Sequence, residues 1–105
     1  MQTNNTQEAN RHNGWTNYAT WRVNLEIVDG MDSEWNPNEG LHFGSIRDLA
    51  DYIKDYAEEA ITNHGDVAEG LVYNYAMAFL ADVNWYEIAT NVAESYPHLL
   101  VAKKN

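Results

Sequence analysis

The chain has 105 residues, and its sixteen Asp and Glu against six Lys and Arg give a formal charge of −10. That charge repels nucleic acid and anionic membrane and attracts basic surfaces. The length suits one domain with one core, four Trp, seven Tyr and two Phe separate it from aromatic-poor acidic tails, and the lack of Cys excludes disulfide scaffolds, thiolate metal sites and cysteine nucleophiles.

Residues 1–13 are polar, with neither the basic n-region nor the apolar h-region of a signal peptide. They read as a disordered segment ahead of a single helical domain over 14–105. A first helix is expected from Thr16, with Tyr18, Trp21, Leu25 and Val28 at spacings of three and four on one face and Asp29-Gly30 as its stop. Trp35-Asn36-Pro37-Asn38-Glu39-Gly40 predicts a turn, because Pro37 fixes its own φ and disfavours a helical Asn36. Trp35 in this loop either folds back onto the core or serves as a contact ring.

Ser45 opens the clearest helix, with Asp48 completing a Ser-x-x-Asp variant of the capping box. Ile46, Leu49, Ile53, Tyr56 and Ala60 recur every three or four residues, and Ala50, Ala57 and Ile61 widen the stripe. The opposite face carries Asp48, Asp51, Asp55, Glu58 and Glu59, and from Asp48 to Glu58 it spans roughly 15 Å at helical rise. This helix is expected to end near Asn63-His64-Gly65. A third, from Asp66 to Ala81 with Leu71, Val72, Tyr75, Phe79 and Leu80, is the most apolar and therefore reads as the central one. Asn84-Trp85-Tyr86-Glu87 has the Asn-x-x-Glu pattern of a fourth start, with Ile88, Ala89, Val92 and Tyr96 behind it and Pro97 as its end. Four helices and short loops predict a mostly-α compact bundle. Leu41-His42-Phe43 and Leu99-Leu100-Val101 are candidates for a minor two-stranded element. No apolar run approaches the roughly 20 residues of a membrane helix.

Catalytic patterns with fixed spacing do not occur. There is no His-Glu-x-x-His and no Gly-x-x-x-x-Gly-Lys. His12, His42, His64 and His98 lack ligand spacing to one another, and a His64/Asp66 metal pair reads instead as loop residues beside a helix cap. Glu58-Glu59 extends a solvated acid run, whereas catalytic carboxylates sit in apolar clefts that raise one pKa. The expectation is a non-enzymatic protein with no cofactor and no metal.

The acid is concentrated. From Asp32 to Glu69 ten acids face two bases, a balance of −8. Solubilising helix faces usually mix signs, but Asp51–Asp55 and Asp55–Glu59 are like-charged i,i+4 pairs, each costing about 0.2–0.5 kcal/mol. Arg47 before Asp51 and Lys54 before Glu58 are the only offsets in the helix, and Asp32, Glu34, Glu39, Asp66 and Glu69 add acid beside it. DNA presents one charge per roughly 1.7 Å of axis. Carboxylates at helical spacing on a rigid body suit a Lys/Arg groove made for it, with steered, salt-sensitive association. A tight complex also needs an aromatic or Arg anchor, for which Trp35, Tyr52, Tyr73 and Tyr86 are available. The candidate partner-binding residues are Asp48, Asp51, Asp55, Glu58, Glu59, Asp66, Glu69 and Trp35.

The segment Asn13-Gly14-Trp15-Thr16-Asn17-Tyr18-Ala19-Thr20-Trp21-Arg22-Val23-Asn24-Leu25 resembles the Asn-Gly-Trp-x-Asn-Tyr-x-Thr-Trp-x-Val-Asn-Leu opening of small, mostly uncharacterised proteins of bacteriophages and mobile elements. Val83-Asn84-Trp85-Tyr86-Glu87-Ile88-Ala89 resembles their closing helix. The resemblance implies a phage or mobile-element origin and carries no activity and no catalytic residues. The first block also has a structural reading: a helix start pinned by side-chain hydrogen bonds, with its rings in the core. As a class, small, acidic, Cys-free phage proteins resemble the anti-CRISPR and anti-restriction inhibitors, many of which mimic nucleic acid. That resemblance implies a basic nucleic-acid-binding surface of a host nuclease, such as a Cas effector, as partner. It also implies no direct nucleic-acid or membrane binding, and action in the host cytoplasm. The alternative is a phage regulatory or assembly adaptor that binds a protein through aromatic surface. The aromatic excess also suits a homodimer.

Overall fold

Helix formation follows the apolar spacing most closely in the second helix. In the computed structural model, which describes residues 12–62 and 70–100, the mostly-α chain forms α1 (Tyr18–Glu26), α2 (Ile46–Thr62), α3 (Gly70–Ala81) and α4 (Trp85–Ser95). Short 3-10 segments run over Val28–Trp35, Pro37–Glu39 and Pro97–Leu99. The Ser45 Oγ accepts the Asp48 backbone N–H at 3.1 Å, which satisfies one of the orphan donors of the first turn of α2. Leu49, Ile53 and Ala57 are fully buried and Ala50 nearly so. This stripe packs most extensively on α4, which buries Ile88, Ala89, Val92 and Ala93. The alanines on both helices let the backbones approach, and Leu49, Ile53 and Ile88 fill the space between them. One cluster of buried side chains draws on all four helices.

Asp29-Gly30 is not the stop of the first helix. α1 ends earlier, at Glu26, with Ile27 as its cap, and the chain goes on in 3-10 turns on either side of a kink at Met31 (φ −96, ψ 15), burying Val28, Met31 and Trp35 at spacings of three and four. Gly30 does not take the positive φ of a left-handed cap. Trp35 is 1% exposed and is core, which overturns its reading as a contact ring. Its ring stands edge-on to Tyr52 at 6.1 Å, and its carbonyl accepts from His98 Nε2 at 2.6 Å. The turn after it forms as expected. Asn36 Oδ1 accepts the Asn38 N–H at 2.8 Å, Pro37 starts the 3-10 turn, and Gly40 closes it at φ +80.

Two faces differ from the sequence expectation. α1 buries Ala19, Thr20 and Val23, while Tyr18 and Leu25 lie 43% and 47% exposed. The small side chains form the close-packed side, and Thr20 is held there by hydrogen bonds. α3, the most apolar helix, is peripheral. The α2–α4 pair already fills the centre, so α3 commits Leu80 to the core and leaves Val72, Tyr75 and Phe79 exposed.

Phe43 donates its N–H to the Leu99 carbonyl at 2.7 Å and forms a single parallel bridge with Leu100. Among the described residues the minor two-stranded element is therefore one bridge, because Pro97–Leu99 coils as a 3-10 turn, and Val101 lies outside them. His12 and Asn13 are part of the turn ahead of α1. Residues 1–11, the expected end of α2 at 63–65, the expected start of α3 at Asp66 and the His64/Asp66 pair lie outside the described residues. Among the described residues no helix is long and apolar enough to cross a membrane.

Candidate functional site

At about 100° per residue, Asp48, Asp51, Asp55, Glu58 and Glu59 fall within an arc of roughly 100°, opposite the Leu49–Ile53–Ala57 core side. Asp48, Asp51, Asp55 and Glu59 are exposed and Glu58 is half-buried. Asp48 sits in the first turn, where the helix dipole favours a negative charge. Asp51 and Asp55 lie beyond the reach of that dipole end. Arg47 and Lys54 lie along one edge of the arc, and neither closes an ion pair with Asp51 or Glu58 among the described residues. The stripe is therefore a fixed row of negative charge on a helix anchored by its opposite face. Asp66 and Glu69, two further candidate residues, lie outside the described residues, and Trp35 is removed from the set by its burial.

Glu34 was not among the candidates, and the structure adds it. Tyr52 flanks the other edge of the arc, and its phenol donates to Glu34 Oε1 at 2.6 Å. This carries acid from the 3-10 segment to the side of α2. The hydrogen bond to Glu34, then partial burial, then the Glu34 charge push the Tyr52 phenol from 10.0 up to about 12. The neutral phenol is the form that folding favours. The stability from this contact is thus complete below the ordinary tyrosine value and is lost as pH rises through about 12. A tyrosinate absorbance titration should show one phenol ionising near that pH, and Tyr52→Phe should delete this late step. Nothing in local spacing pairs residues 34 and 52, so sequence reasoning had no signal for the contact.

The motif blocks meet in space and serve the fold. Asn13 and Gly14 both have positive φ, 49 and 88, as a two-residue type I′ turn requires. His12 and Trp15 close the turn with paired backbone hydrogen bonds of 3.0 and 2.8 Å. Asn17 then caps α1: its Oδ1 accepts the Thr20 N–H at 2.9 Å and the Thr20 hydroxyl at 2.7 Å. Asn84 caps α4, its Oδ1 accepting the Glu87 N–H at 3.0 Å.

The two caps are interlocked. The Asn84 N–H donates to Thr20 Oγ1 at 2.9 Å, the Asn84 side-chain amide to Thr16 Oγ1 at 3.2 Å, and the Asn17 amide to the Asp82 carbonyl at 2.9 Å. Glu87 does not turn back on its own cap as a capping box would. Its Oε1 accepts the Thr16 N–H at 3.0 Å. Each helix start thus supplies acceptors for the other's orphan donors. The expected pinning by side-chain hydrogen bonds holds, whereas the expected burial of Tyr18 does not.

A second surface is apolar. α3 contains no Asp, Glu, Lys or Arg, and beside it a groove of about 360 Å³ is lined by Tyr18, Val23, Ile27, Ile61, Phe79 and Leu80, with Arg22 and Glu26 at its rim. The signal that marks this surface in the sequence is the charge-free stretch with Val72, Tyr75 and Phe79 spaced by three and four. Among the described residues no group of three or more His, Asp or Glu is placed to hold a metal ion. Compared with known proteins, the chain matches no family model, no curated protein and no solved structure.

Proposed function

We propose that this protein is a phage-encoded, non-enzymatic inhibitor of a host defence nuclease, of the anti-CRISPR or anti-restriction kind. In this reading it acts in the host cytoplasm and lays the Asp48–Glu59 face into a basic nucleic-acid-binding site. The observation that supports it best is the exposed acid stripe through Asp51 and Asp55 on a rigidly packed helix. Asp51 and Asp55 are exposed and make no ion pair among the described residues, so the like-charge repulsion is retained rather than relieved. Glu34, held beside the stripe by Tyr52, broadens the field. The match is to Lys and Arg placed to neutralise successive phosphates.

The test is charge reversal. Asp51→Lys, Asp55→Lys and Glu58→Lys together should weaken nuclease binding about 100-fold and abolish inhibition, while far-UV circular dichroism stays helical. Unchanged binding by the folded variant rules the acid face out. A second reading, a phage regulatory or assembly adaptor, draws on Tyr86, which is 61% exposed on α4. Binding that ignores both salt and the charge reversal but is lost in Tyr86→Ala would select it.

A further inference from the structure

We propose that the α3 face is a self-docking surface on which a second copy of this chain binds about a two-fold axis. Val72, Tyr75 and Phe79 are 59%, 68% and 36% exposed along one stripe of α3. Phe79 continues it onto α1 by an edge-on contact with Tyr18 at 6.3 Å. Exposed apolar stripes of this extent on a monomer mark contact surfaces.

Charge selects the occupant. A copy carrying −10 is repelled from the acidic faces of its twin. α3 contributes no charge over Gly70–Ala81, and at the rim of the groove Arg22 and Glu26 neutralise each other at 2.6 Å. Among the described residues, this is a face where two such molecules can meet without opposing like charges.

Shape agrees with charge. A two-fold contact uses the same patch on both partners, so that patch must hold both a projection and a receptacle. Here the projecting Tyr75 stands on the ridge, and the groove of about 360 Å³ opens beside Phe79. The polar run 1–11, with Met1 and Ala9 as its apolar side chains, has too little apolar surface to be the natural cover. At roughly 200 Å² per large side chain, the exposed parts of Tyr18, Val72, Tyr75 and Phe79 amount to roughly 400 Å² per copy. The pair then buries about 800 Å², in the range of weak, transient contacts, which makes the dimer weak and reversible.

The experiment is sedimentation velocity on the full chain from about 1 μM to 1 mM, the span that brackets weak association. The mass should rise from 12.0 kDa toward twice that value. Added salt should strengthen the association, since it screens repulsion between two acidic bodies, whereas it should weaken binding through the acid stripe. Tyr75→Glu should raise the dissociation constant about tenfold or more, and the triple acid-face reversal should leave the dimer intact. If Tyr75→Glu fails to fold, Val72→Glu at the neighbouring exposed position gives the same reading. A chain that stays monomeric at the top concentration in high salt overturns the proposal, as does a dimer indifferent to both folded variants. A chain that stays monomeric yet loses another protein when Tyr75 is charged assigns the face to a different partner and equally overturns self-docking.

Discussion

Trp35→Ala is expected to lower the free energy of unfolding by about 3–5 kcal/mol, read from urea denaturation of the variant beside the wild type. Trp35 is 1% exposed among Met31, Leu49, Ile53 and Leu99, all fully buried in the same cluster. Removing the indole opens a cavity that this close-packed surround cannot fill. The loss is compounded by the ring contact, since Tyr52 packs edge-on to the indole, whereas the backbone carbonyl that accepts from His98 is kept in the variant. Against a typical total of about 5–15 kcal/mol, such a loss leaves a marginal fold. Trp35→Phe should retain most of the stability. A loss below about 1 kcal/mol in the alanine variant would contradict the placement of Trp35 in the core. Loss of partner binding in Trp35→Ala would accordingly report unfolding, and the exposed tyrosines are the proper probes of an aromatic interface.

The second large effect is expected at the interlocked caps. Thr20→Val keeps the shape but removes the acceptor of the Asn84 N–H and the hydroxyl that donates to Asn17. Thr20 is fully buried, so water cannot replace it, and about 2–3 kcal/mol should be lost. Asn84→Ala removes the α4 cap and the bond to Thr16, for about 1–2 kcal/mol. Because the two residues share one network, the double variant should lose less than the sum, with a coupling of about 1 kcal/mol in a double-mutant cycle. Strict additivity in thermal or urea unfolding would mean that the caps act separately.

How far the sequence could be read depends on whether a feature is local. Ser45 and Asn84 are legible as caps because the acceptor and the N–H it serves lie three residues apart. The buried and acidic faces of α2 are legible because one strong period runs through the whole helix. The face of α1 is not, since Tyr18 and Leu25 outweigh Ala19 and Val23 in hydrophobicity while the small residues make the close contact. The position of α3 is also hidden, because apolar content says that a helix can be buried but not which neighbours are already taken. The two motif blocks were visible separately. Their partnership spans 64 residues from Thr20 to Asn84, and no short-range pattern encodes it. The Glu34–Tyr52 bond is hidden for the same reason.

The reading of the acid face is tested most directly by the salt dependence of binding to the captured partner. A tagged pull-down from bacterial host lysate supplies that partner, and its affinity is then measured across about 50–200 mM salt with wild type and with the Asp51, Asp55 and Glu58 lysine variant. The logarithm of the affinity should fall linearly with the logarithm of salt, as it does when a phosphate-binding groove is occupied. The slope should shrink in the variant, and short duplex DNA should displace the protein. Binding that is flat in salt, equal in the variant, and unaffected by DNA held in the same complex would contradict that reading.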